Sequence, residues 1–191
     1  LTFAAQPAFH RAYLPKDPRK KLFFAGDPRL HYAARRRAFD YLLVPSLRYG
    51  LDIFARTTEN VPYARWPRRL KPAVKGSLPY PRLVRAYSAY QCGLAIHSTP
   101  ESLTMFSRRT VEMPLADVFV FSSASRAVRA LFPEIPQSAD RAGAVRMLGY
   151  YLDDRHAAER IDLLQALKKR ICSSHTCAHA YQRIRALLRL R

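Results

Sequence analysis

A chain of 191 residues, 49% of them hydrophobic, is long enough to bury one sizeable core and too apolar for wholesale disorder. No apolar run approaches the ~20 residues a membrane-spanning helix needs, and three cysteines (Cys92, Cys172, Cys177) are too few and too oddly spaced for a disulfide framework. Seven lysines and 26 arginines against 14 acids give a net charge of +19, the footprint of a nucleic-acid binder, although a genome that encodes arginine freely or an acidic protein partner would give the same balance.

Residues 1–21 form a basic, proline-broken extension, with Leu1 rather than methionine first. This resembles what remains beside a removed organellar transit segment. "KLFFAG" (21–26) predicts a short buried strand ending at glycine. "RAFDYLLVPSLRYG" (37–50) has Phe39, Leu42, Leu43 and Leu47 at helical spacing, with Gly50 as the stop. "LDIFAR" (51–56) reads as a second strand. A Pro- and Arg-rich loop then leads to a short strand before Gly76. Helices are predicted over 82–91, 102–114 and 125–133, the last capped by Ser125. Strands are predicted over 92–97 and 117–123, and helices alone from 139 onward. Alternating strands and helices imply an α/β fold, a single Rossmann-like domain over 22–191 with a mostly parallel sheet and a helical C-terminal tail. Ligands in such sheets bind at the carboxyl ends of the strands.

Three stretches, "FFAGDPRLHYAARRRAFDYLLVPSLRYGLDIFAR", "VKGSLPYPRLVRAYSAYQCGLAIHSTPESLTMFSRRTVEMPLADVFVFSS" and "HTCAHAYQRIRAL", resemble the carboxyl-terminal, donor-nucleotide half of spore-protein-type glycosyltransferases. Those enzymes have the GT-B architecture, two Rossmann-like domains facing across a cleft. The resemblance implies donor-nucleotide roles for Gly26, Gly76, Tyr80, Ser107, Arg108, Arg109 and Glu112. Gly26 would turn near the ligand, and Gly76 and Tyr80 would sit at the cleft edge. The N-terminal turn of the Ser107–Glu112 helix would face the diphosphate, with Glu112 on the ribose hydroxyls. The alternative for Arg108 and Arg109 is an ion pair with Glu112 one helical turn away. His175, Thr176 and His179 match the closing signature of the family. That match accounts for both histidines without zinc, and no obligate metal is expected.

The departures point away from catalysis. Where the family has a glycine turn this chain has Asp117-Val118-Phe119, and Asp117 would crowd and repel a diphosphate. No second Rossmann domain is present to hold an acceptor, so no catalytic residue is assigned and the chain reads as a pseudoenzyme. Basic clusters supply candidate RNA contacts: Arg19, Lys20, Lys21, Arg35, Arg36, Arg37, Arg65, Arg68, Arg69, Lys168, Lys169, Arg170, Arg183, Arg185 and Arg189, with Trp66 to stack on bases. In the last segment Tyr181, Ile184, Leu187 and Leu188 predict an amphipathic helix docked on its own domain. The leading expectation is a non-catalytic, RNA-contacting subunit of a large ribonucleoprotein, an organellar (mitochondrial) ribosome, with RNA and neighbouring proteins as partners and no cofactor. The alternative is the donor-binding half of a nucleotide-sugar-dependent glycosyltransferase working with a separate acceptor domain, its location cytoplasmic.

Overall fold

The computed structural model describes residues 3–17, 19, 21–55 and 65–188. Six parallel strands form one sheet: β1 (Leu22–Ala25), β2 (Leu51–Ala55), β3 (Val74–Ser77), β4 (Cys92–Ala95), β5 (Phe119–Ser123) and β6 (Gln137–Ser138). Their spatial order is β3-β2-β1-β4-β5-β6. The chain therefore reverses its direction of growth between β1 and β4, which leaves a crevice at the carboxyl ends of those two strands. The central strands β1, β4 and β5 are buried at every residue because both faces are covered, whereas the flanking β2, β3 and β6 carry polar, partly exposed residues. In β1, Leu22 and Phe24 point into one core and Phe23 and Ala25 into the other.

Helix α1 (Ala33–Ala38) runs through a π turn, Phe39–Leu43, into α2 (Val44–Ser46). The π turn carries the helix past Pro45, which has no N–H for the carbonyl one turn back. Gly50 ends the segment in the left-handed conformation, φ 76°. On the other face lie α3 (Tyr80–Tyr87), α4 (Arg109–Leu115) and α5 (Arg126–Leu131). Ser125 caps α5 by accepting the Val128 N–H, as its position predicts. Helices α6 (Arg141–Tyr151), α7 (Ala157–Ser174) and α8 (Cys177–Leu188) complete the chain.

The N-terminal extension is a strap on the domain. Ala5 pairs through its backbone with His175 and Cys177, and Lys16 donates to the carbonyls of Tyr90 and Asp117. Among the described residues no helix is long and apolar enough to cross a membrane.

Four expectations need correction. Residues 102–108 are a loop, and the helix predicted over 102–114 starts only at Arg109. Trp66 is 2% exposed and lies parallel to Phe39 in the core, so it cannot stack on a base. Asp117 takes the left-handed conformation, φ 60°, which Asp tolerates, so the chain turns tightly there without a glycine. It also stands before the first residue of β5, at the opposite end of the sheet from the crevice, bonded to Lys168 and Lys16. It cannot repel a ligand there. Finally, α8 is not docked by its apolar face: Tyr181, Leu187 and Leu188 are 61–77% exposed.

Candidate functional site

The crevice between β1 and β4 opens into a groove of two adjoining lobes, about 120 and 470 Å³, the larger in the range of small-molecule pockets. Both lobes are lined by Arg29, Arg35, Ile96, Ser98, Ser107 and Arg109. Gly26 and Asp27, at the end of β1, floor the smaller one. His97, Arg108 and the rings of Tyr32 and Phe106 wall the larger.

Each arginine arrives by a different local device. Arg29 has φ 42°, a conformation costly for a side-chain-bearing residue and typical of functional loops. Arg35, from α1, lies flat across the end of β1. Its guanidinium donates to the carbonyls of Asp27 at 2.7 Å, Pro28 at 2.9 Å and Ile96 at 3.3 Å. Gly26 makes room for it, because a Cβ there would stand 3.1 Å from Arg35 Nη2 and 3.3 Å from Phe24 Cζ. Arg35 is thus a buried wall of the groove, and the expectation that it contacts RNA is overturned. Arg109 opens α4, and its Nε and Nη2 are buried with no partner among the described residues.

This site is short of negative charge. Burial, followed by the fields of Arg109 and Arg29, pulls the Arg35 guanidinium down to about 10, with only Asp27 acting against it. An anion in the groove would relieve that repulsion and satisfy Arg109.

Loop 98–108 is held by His97, which is 3% exposed. Its Nδ1 accepts the Ser107 N–H at 3.0 Å and its Nε2 lies 2.8 Å from Ser122 Oγ. Ser122 gives its own proton to the Ser123 carbonyl, so its oxygen accepts from His97 Nε2–H and the tautomer is set. Burial, with Arg35 nearby, lowers the His97 pKa from 6.5 to about 4. Between those values the unfolded chain binds more protons than the folded one, so stability falls as pH drops from 6.5 towards about 4. His10 and His175, both lowered first by burial, act in the same direction. Thermal melts should therefore show Tm declining with acid across that window, and His97→Asn should remove part of the decline.

Of the residues implicated by resemblance, Gly26, Ser107, Arg108 and Arg109 line the groove. Glu112 does not. It is 2% exposed, and its Oε1 accepts from the Tyr80 hydroxyl at 2.6 Å and pairs with Arg108 Nε at 3.3 Å. Its Oε2 accepts from the Tyr87 hydroxyl at 3.2 Å, and His10 Nε2 from the strap approaches Oε1 at 3.8 Å. Both oxygens are engaged, so in this conformation Glu112 offers nothing to a ribose. Tyr80 and Gly76 also lie outside the groove lining. The proposed ion pair is thus real for Arg108 and not for Arg109.

Sequence reasoning missed Arg29, Asp27, His97 and Ser98. Their signal is positional, since each lies two to four residues past the end of β1 or β4. The RNA candidates are scattered. Lys21, Arg36, Arg37, Arg65, Arg68, Arg69 and Lys169 are exposed. Others are engaged: Arg19 with Asp17, Lys168 with Asp117, Arg170 with Glu134, Arg183 with the Ser174 carbonyl, and Arg185 over Tyr181. Lys20 and Arg189 lie outside the described residues. Among the described residues no group of three His, Cys, Asp or Glu side chains could hold a metal ion; Thr176 and His179 bond to each other, and His175 packs on Phe132.

Two solved structures share the fold. One is WaaG, a glycosyltransferase involved in lipopolysaccharide biosynthesis, with a TM-score of 0.60 and 10% identity over 97% of this chain and 55% of that one. The other is AviGT4, a glycosyltransferase involved in avilamycin A biosynthesis, with a TM-score of 0.53 and 15% identity over 90% of this chain and 56% of that one. The chain thus spans little more than half the length of either. At such identities the likeness concerns fold alone, a GT-B glycosyltransferase-like half. No curated protein matches by sequence. A family model described as "Glycosyl transferase-like" matches residues 30–186, and on that match the chain belongs to the glycosyl transferase-like family.

Proposed function

We propose that this chain binds the diphosphate of a nucleotide-sugar donor in the β1–β4 groove, as the donor-binding half of a glycosyltransferase that works with an acceptor domain. The observation that carries this reading is the convergence of Arg29, Arg35 and Arg109 on one groove, with Arg109 Nε and Nη2 left without a partner among the described residues. A diphosphate supplies the charge and acceptor oxygens those groups lack, and a leaving diphosphate is stabilised by the same contacts. Tyr32 and Phe106 offer apolar surface to the nucleoside. Calorimetric titration with nucleoside diphosphates tests this directly. Arg109→Gln should weaken binding roughly 10- to 100-fold, the worth of a charged hydrogen bond. Arg69→Gln, exposed and outside the groove, should leave it unchanged. No binding by the wild-type chain, or equal binding by Arg109→Gln, would refute the reading.

A second reading draws on a different observation, the exposed Arg36, Arg37, Arg65, Arg68, Arg69 and Lys169, which the groove does not use. They suit a phosphate backbone, and under this reading the chain is an RNA-contacting subunit of a large ribonucleoprotein such as an organellar ribosome. Sedimentation of the native protein with a ribonuclease-sensitive particle would favour it, and migration as a small free protein would sink it.

A further inference from the structure

We infer that His97 is a positioning residue for the anion groove: by accepting the Ser107 N–H it sets where loop 98–108 ends, and hence where the Arg109 guanidinium meets a ligand. The inference rests on the donor-diphosphate reading. His97 extends from the end of β4, and its ring bridges the loop to Ser122 in β5. Both ring nitrogens are engaged inside the protein, so His97 acts through Ser107 and not on the ligand. Ser107 stands two residues before Arg109, and its N–H, held by His97, is where the loop is tied to the end of β4 just before its carbonyl accepts the Thr110 N–H and α4 begins. Further back the loop is anchored by Pro100, which accepts the Arg126 N–H, and by Phe106 packing edge-on against Phe132. Beyond Ser107 the Arg108 side chain pairs with Glu112, which fixes that side chain but leaves the Ser107 N–H to His97. With the His97 contact broken, the Ser107 donor would be free to join a helical turn, and Arg109 would rotate with it.

The two ring nitrogens allow a test that separates positioning from packing. In His97→Asn the side-chain oxygen reaches the place of Nδ1 and can still accept from Ser107. In His97→Gln the amide reaches the place of Nε2, keeping the bond to Ser122 and losing the one to Ser107. Calorimetry of the full chain with inorganic pyrophosphate should find His97→Gln about tenfold weaker than wild type, the scale expected when a binding group is set slightly out of place. His97→Asn should stay within about threefold. Exchange of the Ser107 amide, followed by NMR, should quicken in His97→Gln and stay slow in His97→Asn. Wild-type affinity in His97→Gln, or equal losses in both variants, would overturn the inference while leaving the groove assignment intact. No pyrophosphate binding by the folded wild-type chain would remove the groove assignment itself. If His97→Gln fails to fold, Ser122→Ala serves instead, since it keeps the ring and removes the acceptor that fixes its tautomer; unchanged affinity there would count against the inference.

Discussion

Glu112→Ala should lower folding stability by about 3–5 kcal/mol, the cost of breaking a buried, charge-bearing network by removing one partner. Three groups depend on this carboxylate. The Tyr80 and Tyr87 hydroxyls donate to it, and Arg108 pairs with it while stacking 4.3 Å over the Tyr80 ring. Burial and the bond to Glu112 hold both phenols well above their ordinary pKa, so they remain donors and cannot discharge their need by ionising. Alanine would leave the fully buried Tyr87 hydroxyl and the half-buried Tyr80 hydroxyl without this acceptor and would strip Arg108 of its ion pair. The strap would loosen too, because His10 Nε2 lies 2.9 Å from the Tyr80 hydroxyl. At roughly 2–4 °C per kcal/mol for a domain of this size, the melt should fall by about 10 °C. Glu112→Gln keeps one oxygen for Tyr80 and should fall less. A Glu112→Ala melt like that of wild type would mean the carboxylate is not committed to the fold, and the ribose role suggested by family resemblance would regain its ground.

How much of this was legible in the sequence divides along one line. The strand–helix order was readable because each element announces itself locally: apolar runs such as "LFFA" and "FVFSS", a glycine after Tyr49, a serine before α5. The groove was half legible. Ser107, Arg108 and Arg109 stood out as a charged cluster opening a predicted helix. Arg29 and His97 did not, since each is a single residue after a strand with no periodicity around it. The misplaced helix start has a physical cause. Ser102 Oγ accepts from the N–H groups of Thr104 and Met105, and His97 takes that of Ser107. The Ser107 N–H is the donor that a helix over 102–114 would have given to the Leu103 carbonyl, and the His97 ring takes it instead; the first-turn N–H groups of Thr104 and Met105 would have had no helical partner in any case. Trp66 and Arg35 were misjudged for a related reason. Both sit in basic clusters that composition alone assigns to the surface. Tertiary packing buried one against Phe39 and spread the other over three backbone carbonyls.

Gly93→Ala should be the most damaging single methyl in the sheet, costing about 2–3 kcal/mol by overpacking. A Cβ at Gly93 would stand 2.2 Å from Met113 Sδ, and 3.3 Å from both Met113 Cε and Val118 Cγ1. Neither side can yield easily. Gly93 lies opposite Phe23 in β1 and Val120 in β5, so its backbone is locked from both directions. Met113 is fully buried on α4, the helix that begins at Arg109. The clash must therefore be met by rearranging a close-packed core or by lifting α4 off β4. The first would spend stability alone, and the second would move Arg109 as well. Met113→Ala makes room for the new methyl but leaves a cavity of its own, so the double variant should be destabilised less than the sum of the singles by about 1–2 kcal/mol. Nucleoside diphosphate affinity separates the two responses. If α4 lifts, Gly93→Ala binds weakly even where it is fully folded, and Gly93→Ala/Met113→Ala recovers much of the loss. Strictly additive stabilities would mean that Met113 swings aside at little cost, and that the seat of α4 on β4 is set elsewhere along the helix.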